Sequence, residues 1–171
     1  LHRVNDAARE CMEGSARPWA FDMHMWLDRI ESLRQCTAAT LGTAAEALAF
    51  IPSASYGEAI AARNLRVEAG QKILLMAGEY PSNRTIWQRT ADAAGAHCVD
   101  VTPADGERWT AALLRHIDAD TAVISAVPCH WTNGAPVDLT AIGDAARRNG
   151  AALVVDASQS LGALPFDFAS I

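Results

Sequence analysis

The sequence predicts an α/β domain in which helices flank a mostly parallel sheet. One observation is that short apolar runs of strand length alternate with segments whose apolar residues recur every three or four positions. Another is that the runs 72–76, 121–127 and 151–155 are apolar almost throughout, which is typical of strands covered on both faces. We therefore expect βαβ units joined by right-handed crossovers.

Each element follows from a local pattern. Residues 19–40 carry large apolar side chains at helical steps, and Gly95 and Asn149-Gly150 are stop signals for two later helices. Pro52 and Pro128 end two of the predicted strands. The predicted helices cover 3–13, 19–40, 55–65, 83–94, 109–116 and 139–148. The predicted strands cover 47–51, 72–76, 96–101, 121–127 and 151–155, and 162–166 is a candidate start of another.

Composition narrows the class of protein. The chain has 171 residues, half of them apolar, which is enough for a compact core. Its net charge is −6 without any basic run, so neither nucleic acid nor an anionic membrane surface is an expected partner. No apolar run reaches the length of a membrane span. Four widely separated cysteines predict reduced thiols, a cytoplasmic location and no metal site.

Polar and aromatic residues follow the predicted strands at their carboxyl ends, in the segments 52–57, 78–83, 129–134 and 156–160. In an open parallel sheet these ends meet at one rim, where ligands bind. The sequence therefore predicts a ligand site built from these four segments.

The segment with Ser55, Tyr56 and Gly57 opens a helix. Small residues there leave backbone N–H groups free, and the helix dipole adds positive potential, so the segment suits a phosphate. An ordinary helix cap that binds nothing is the alternative.

Asp156 comes directly after five apolar residues, and we expect it to be poorly solvated. A buried carboxylate needs a partner, and a cationic ring nitrogen would serve. The alternative is an Asp that bonds the backbone at Ser158. Gln159 could donate to a ring hydroxyl or a phosphate, or be a surface amide. Tyr80 could stack on a flat ligand or simply pack at the rim.

These residues together resemble the class-V aminotransferase family of pyridoxal-phosphate (PLP) enzymes, which has the fold-type-I architecture. The family includes cysteine desulfurases, kynureninases and isopenicillin-N-epimerase-like proteins. The most specific match is 153–163, where an apolar strand runs into Asp156 and Gln159 follows three residues later. Three more matches occur in the family's order, at 53–57, at 79–83 with Trp87 behind it, and at 130–134.

The resemblance implies PLP as the cofactor and a role for each matched position. Asp156 would pair with the pyridinium nitrogen, and Gln159 would bond the phenolic oxygen or a neighbouring group. Tyr80 would stack over the pyridine ring. The phosphate would be bound by Ser55, Tyr56 and Gly57. The phenolic oxygen would be approached by Asn133 and Thr132.

Two departures from the family pattern stand out. Desulfurases carry a His where Tyr80 stands, which makes desulfurase activity a weaker expectation than the kynureninase- or epimerase-like alternatives. The family's Schiff-base Lys follows the Asp–x–x–Gln segment by a few tens of residues, whereas the chain ends at Ile171. The single lysine, Lys72, opens a strand at the opposite end of the predicted sheet.

We therefore expect a partial PLP-binding large domain, with N-terminal helices over about 1–45, an α/β core over about 46–171, and no small C-terminal domain. The resemblance implies that the intact protein is a homodimer acting on an amino acid or related amine through a Schiff base and a carbanion, as an aminotransferase, epimerase or lyase. The fragment alone would be inactive. One alternative is a non-catalytic PLP-binding remnant or partner subunit. Another is a nucleotide-binding α/β domain, which is disfavoured because the sequence contains neither of the two common glycine-rich nucleotide-binding motifs.

Overall fold

The structure of the chain, a computed structural model, describes residues 1–20 and 22–171. It forms two compact units, Leu1–Phe50 and Ile51–Ile171. Within the described residues, no helix combines the length and apolarity needed to cross a bilayer. The helices are α1 (His2–Ser15), α2 (Met23–Leu41), α3 (Ala54–Asn64), α4 (Pro81–Ala94), α5 (Trp109–His116) and α6 (Leu139–Asn149). The strands are β1 (Lys72–Met76), β2 (His97–Val101), β3 (Thr121–Ala126) and β4 (Ala152–Val155).

The first unit contains α1 and α2. A 3₁₀ turn at Pro18–Ala20 separates them, so α2 begins later than the helix predicted over 19–40. Asp22 caps α2 by accepting a hydrogen bond from the His24 N–H at 3.0 Å. The helix ends where Gly42 adopts a left-handed conformation with φ 66°. Residue 21 of the predicted helix lies outside the described residues.

The second unit is built on a four-stranded parallel sheet with strand order β2-β1-β3-β4. This confirms the predicted α/β class with a parallel sheet between helices. Strands β1 and β3 lie in the middle and are almost completely buried, which explains why their sequences show no alternation of apolar and polar residues.

The sheet separates two apolar cores. On one face Leu74, Met76 and Ile124 pack with α5 and α6, for example with Leu113 and Ile142. On the other face Ile73, Leu75 and Val123 pack with α4 residues Trp87 and Ala91 and with partly buried residues of α3. Helix α4 leads from β1 out to β2, and α5 leads from β2 back past β1 to β3. Crossovers of the same hand that run in opposite directions across a sheet put their helices on opposite faces, as α4 and α5 lie here.

The chain reverses its direction across the sheet between β1 and β3. From β1 it moves to β2 at one edge, and then it returns past β1 to β3 and β4. The connections that leave β1 and β3 therefore diverge to opposite faces and leave a crevice at the carboxyl ends of these two strands. This position is where the fold itself predicts a ligand.

Two predicted strands are wrong. Residues 47–51 form no strand, because Ala45–Ala47 is a 3₁₀ turn and Pro52, which has no N–H to donate, follows directly. Residues 162–166 form no strand: they begin with a turn, and the region contains a single isolated bridge, between Leu161 and Leu164. Gly162 has a left-handed φ of 81° there, and Pro165 removes a ladder donor.

Candidate cofactor site

The loops after β1 and β3 are tied together at the crevice. The Trp131 Nε1–H donates to the Gly78 carbonyl at 2.8 Å, and His130 Nε2 lies 3.1 Å from the Ala77 carbonyl oxygen. Gly78 has a φ of 76°, a conformation that side chains other than glycine rarely adopt. The two loops thus form one fixed edge of the rim.

His130 serves this edge as a structural residue. It is 4% exposed, and its ring stacks on Trp109 with centroids 4.9 Å apart and planes 4° apart. A carbonyl can only accept, so Nε2 donates to Ala77, and Nδ1 lies 2.8 Å from the Thr132 hydroxyl. Both ring nitrogens of His130 are therefore occupied by contacts within the protein.

Tyr80 is the residue immediately before α4. Its side chain is 54% exposed, and its ring meets Trp131 in an edge-to-face contact with centroids 5.7 Å apart. Because the Tyr80 N–H donates to Glu79 Oε1 at 2.8 Å, the backbone at this position is also fixed. The structure therefore presents a half-exposed aromatic ring at the crevice.

Asp156 follows β4, and its N–H extends the sheet by donating to the Ala126 carbonyl at 3.1 Å. Its Oδ1 accepts from the Ser158 N–H at 2.9 Å and from the Ser158 hydroxyl at 2.5 Å, while no described residue donates to Oδ2. The side chain is only partly buried, less than expected, because β4 is an edge strand of the described sheet. One carboxylate oxygen is held in place and the other is available.

Helix α3 begins one residue earlier than predicted, and its cap is Ser53 rather than Ser55. The Ser53 hydroxyl accepts from the Tyr56 N–H at 3.2 Å, and the Ser53 carbonyl accepts from Tyr56 and Gly57. The N–H groups of Ala54 and Ser55 precede the first intrahelical bond and stay available for a ligand. The Ser55 and Tyr56 side chains are exposed.

The start of α3 and the end of β4 line one cleft of about 580 Å³. Ala54, Gly57 and Glu58 form one wall, and Asp156 and Ser158 belong to the other. A Cβ added at Gly57 would lie 2.7 Å from Ile51 Cδ1, the end of an exposed side chain that would have to shift. The structure thus brings two of the sequence-predicted groups together, the helix start and the aspartate.

The remaining predicted residues lie around the rim but do not line this cleft. Thr132 and Asn133 belong to the loop after β3, where Asn133 Oδ1 accepts from the Ala135 N–H at 3.0 Å. Gln159 is exposed and makes no side-chain hydrogen bond with the described residues. These side chains are positioned by turns, while Asp156 is positioned by the sheet.

Two buried carboxylates, Glu58 and Glu79, were missed by sequence reasoning. Burial raises the pKa of the Glu58 carboxyl to about 7; the Trp87 hydrogen bond lowers it, and the charges of Asp156 and Glu79 raise it further. Burial also raises the pKa of Glu79, against the opposing effects of the Tyr80 N–H and His130. From the sequence alone, an acidic residue in the second turn of a helix is expected to face solvent. Only the folded structure shows that Glu58 faces inward.

A third buried polar group lies behind Tyr80 on α4. Asn83 Oδ1 accepts from the Ser125 hydroxyl of β3 at 3.1 Å, whereas Asn83 Nδ2 and Glu79 Oε2 are buried with no hydrogen-bond partner. Unsatisfied buried polar atoms are rare and concentrate where ligands or strain are found. The crevice between β1 and β3 therefore carries unused hydrogen-bonding capacity.

Lys72 lies where the sequence places it, at the start of β1 and away from the rim. Its Nζ is 2.6 Å from Asp118 Oδ2. The cleft beside Asp156 is thus lined without a lysine.

Comparisons with known proteins identify the family of the chain. Residues 14–171 match the family described as Aminotransferase class-V. An uncharacterized aminotransferase of Bacillus subtilis, YcbU, is 29% identical over 143 residues, which cover 82% of the chain and 37% of that protein.

Solved structures show the same fold. Two structures of C-DES have TM-scores of 0.80 over 93% of the chain and are 24% and 25% identical; the chain covers 44% and 45% of them. One is a mutant with glycine covalently linked to the PLP cofactor, and the other is the cystine C-S lyase with its reaction product cysteine persulfide. The Escherichia coli cysteine desulfurase CsdA has a TM-score of 0.75 over 84% of the chain and 37% of its own, at 19% identity. The chain therefore spans less than half the length of these relatives, and it belongs to the class-V aminotransferase family.

Proposed function

We propose that this chain is the cofactor-binding part of a PLP-dependent enzyme that acts on an amino acid or related amine, with aminotransferase, epimerase or lyase chemistry. The observation that carries the proposal is the shared cleft: the start of α3 and the Asp156 carboxylate line the same space. A phosphate needs the first group and a cationic ring nitrogen needs the second.

The residues of the cleft fit PLP. Its volume of about 580 Å³ is within the usual range for small-ligand sites of about 300–1,000 Å³. Ala54 and Ser55 offer backbone N–H groups to a phosphate, and Asp156 Oδ2 offers a free acceptor to a protonated ring nitrogen. When bound, PLP supplies an electron sink for charge that develops on the substrate.

The chain's own residues would orient and hold the ring. Ser158 fixes the Asp156 carboxylate through two hydrogen bonds to Oδ1, so that Oδ2 keeps one direction. Tyr80 would cover a face of the ring, with its orientation maintained by Trp131. Thr132, Asn133 and Gln159 would contact the phenolic oxygen or its surroundings once a ligand occupies the rim.

A lysine that forms a Schiff base with PLP is not offered by the cleft, because Lys72 is bound to Asp118 at the far end of β1. In the proposal this chain contributes non-covalent contacts. The lysine, a small C-terminal domain and an Arg for the substrate carboxylate belong to the intact protein, which we propose to be a cytoplasmic homodimer.

Carbon–sulfur bond cleavage is a second candidate for the intact protein. It is favoured by the similarity to C-DES, a cystine C-S lyase that is 25% identical over 93% of the chain. Tyr80, where desulfurases carry a His, favours the other outcomes. A spectral change of the PLP-loaded protein on adding cystine but not alanine would support the lyase.

The test is a PLP titration followed by absorbance and intrinsic fluorescence. We expect saturable binding, with no adduct at the cleft after borohydride reduction. Asp156→Asn should weaken binding about 10- to 100-fold, the loss typical of a charged hydrogen bond. Asp167→Asn is the matched control, because Asp167 also accepts a backbone N–H two residues ahead but lines a different pocket. Absence of saturable binding, or displacement of PLP by a nucleotide in preference to pyridoxal compounds, would contradict the proposal.

A further inference from the structure

Glu58 is a second carboxyl group in the cleft of Asp156. It lies one helical turn after the first residue of α3, is 6% exposed, and still lines the cleft. Its Oε2 accepts from the Trp87 Nε1–H at 3.0 Å, and no described residue donates to its Oε1. A side chain more than nine-tenths buried therefore has an unpartnered oxygen beside the candidate cofactor site.

The bond between Glu58 and Trp87 connects α3 to α4. Trp87 is fully buried in the core that lies under both helices. An indole N–H can donate to a carboxylate or to the carbonyl oxygen of a neutral carboxyl, so this link tolerates either charge state of Glu58. The anchor alone therefore does not require Glu58 to be ionised.

The charges around Glu58 favour its neutral form. Asp156, after β4, and Glu79, before α4, are the charged groups that act on it, and both are negative. The ion pairs found within residues 1–20 and 22–171 join other acidic side chains, and none of them includes Glu58. A buried carboxyl without a cation holds its proton more tightly than an exposed one.

We propose that Glu58 is a positioning residue that must carry its proton for the cleft to accept a phosphate. As a neutral carboxyl it anchors α3 through Trp87, and as a carboxylate it repels the anion held at the start of the same helix. The inference rests on the proposed function, since it takes the phosphate of PLP as the anion.

Linkage gives the direction of the effect. A phosphate monoester carries about −1.5 to −2 charges at neutral pH, and it would share the cleft with Glu58. Its binding therefore favours protonated Glu58, and its affinity falls as Glu58 loses its proton. A ligand with the same ring but no phosphate lacks this repulsion.

The experiment compares two probes without an aldehyde, pyridoxine 5′-phosphate and pyridoxine. Their dissociation constants are measured at about pH 6 and about pH 8.5, on either side of the Glu58 transition, for the unchanged chain, Glu58→Gln and Glu46→Gln. Gln keeps the acceptor for Trp87 but cannot ionise, and Glu46 is an exposed carboxylate of the N-terminal unit. The phosphate of the probe titrates in the same way whichever protein is present. The difference in affinity between the unchanged chain and Glu58→Gln therefore reports the ionisation of Glu58 alone.

We expect the unchanged chain and Glu58→Gln to bind pyridoxine 5′-phosphate equally at the lower pH. At the higher pH the unchanged chain should bind it about five- to tenfold more weakly than Glu58→Gln, while pyridoxine shows no such gap. Glu46→Gln should follow the unchanged chain. Identical pH profiles for the unchanged chain and Glu58→Gln, or an equal gap for both probes, would overturn the inference while leaving the proposed function intact.

A second readout needs no ligand. In ¹³C spectra of glutamate-labelled chain, the resonance lost in Glu58→Gln should titrate near neutrality, and the Trp87 indole resonance should move with it. Titration of that carboxyl in the ordinary range of glutamate overturns the inference. Failure of both probes to bind the unchanged chain at either pH defeats the proposed function, and the inference with it.

Discussion

The two ends of the sheet differ in whether their acidic side chains are paired with a basic one. At the amino ends of the strands Lys72 and Asp118 form an ion pair at 2.6 Å, and the Lys72 hydrogen bond is the main cause that lowers the pKa of Asp118. At the carboxyl ends burial raises the pKa of Glu58 and Glu79, the charge of Asp156 raises both further, and no arginine or lysine of the described residues forms an ion pair with either glutamate.

The difference indicates which end is prepared for a ligand. At the amino ends the Lys72–Asp118 ion pair is already formed in the folded chain. At the carboxyl ends a ligand can still gain free energy by binding to the negative groups and to the unpartnered Asn83 amide. The proposed site therefore lies at the end of the sheet where buried carboxyl groups are not paired with a lysine or arginine of the described residues. Four changes test this contrast, from the largest expected effect to the smallest.

Trp87→Ala should have the largest effect, because it empties a fully buried site and removes the donor to Glu58. We expect the free energy of unfolding to fall by about 3–5 kcal/mol. Trp87→Phe keeps much of the volume but leaves Glu58 without its donor, for a loss of about 1–3 kcal/mol. Urea denaturation measures both, with Trp19→Ala as the exposed control. Equal losses at positions 87 and 19 would refute the anchor.

The pH dependence of stability should have opposite signs at the two ends. The folded pKa of Glu58 lies above its unfolded value, so its contribution is complete below about pH 4.5 and is lost as the pH rises through about 7. Glu58→Gln should remove this decline, a difference of roughly 3 kcal/mol across that window. Asp118 contributes above its unfolded pKa and loses that contribution as the pH falls. If the free energy of unfolding depends on pH in the same way for the unchanged chain and Glu58→Gln, Glu58 has the same pKa in the folded and the unfolded state.

Tyr80→Ala should weaken PLP binding about three- to tenfold, because an aromatic contact contributes about 0.5–1.5 kcal/mol. Tyr80→Phe keeps the ring and should bind PLP like the unchanged chain. Isothermal titration calorimetry distinguishes the two. If both variants lose the same affinity, the hydroxyl rather than the ring face makes the contact.

Lys72→Met should have the smallest effect. Asp118 is exposed to solvent, so we expect only a small loss in the free energy of unfolding, which shrinks further in high salt. PLP affinity should stay unchanged, because the residue is at the opposite end of the sheet. A drop in PLP affinity would mean that the two ends are coupled.

The fold was largely predictable where an element carries its own signal. The apolar runs at 72–76, 121–127 and 151–155 contain the strands Lys72–Met76, Thr121–Ala126 and Ala152–Val155, and the helix over 109–116 has the predicted bounds. The segment 47–51 failed because an apolar run of five does not specify a strand when no neighbouring strand pairs with it.

Part of the candidate site could be predicted from the sequence. Asp156 and the residues at the start of α3 could be named as candidates because strand ends and helix starts place ligand groups by rule. The inward direction of Glu58 was not, because it depends on the packing of α3 against Trp87, a contact 29 residues apart in sequence. Such contacts have no local signature.

The tie between the loops after β1 and β3 also bears on how this rim can change in evolution. Both of its bonds end on main-chain carbonyls, those of Ala77 and Gly78, rather than on side chains. Substitutions at position 77 therefore leave the tie intact, whereas Gly78 is constrained by its backbone angle. The neighbouring aromatic residue at position 80 makes neither of these two bonds, so it can be exchanged while both are kept.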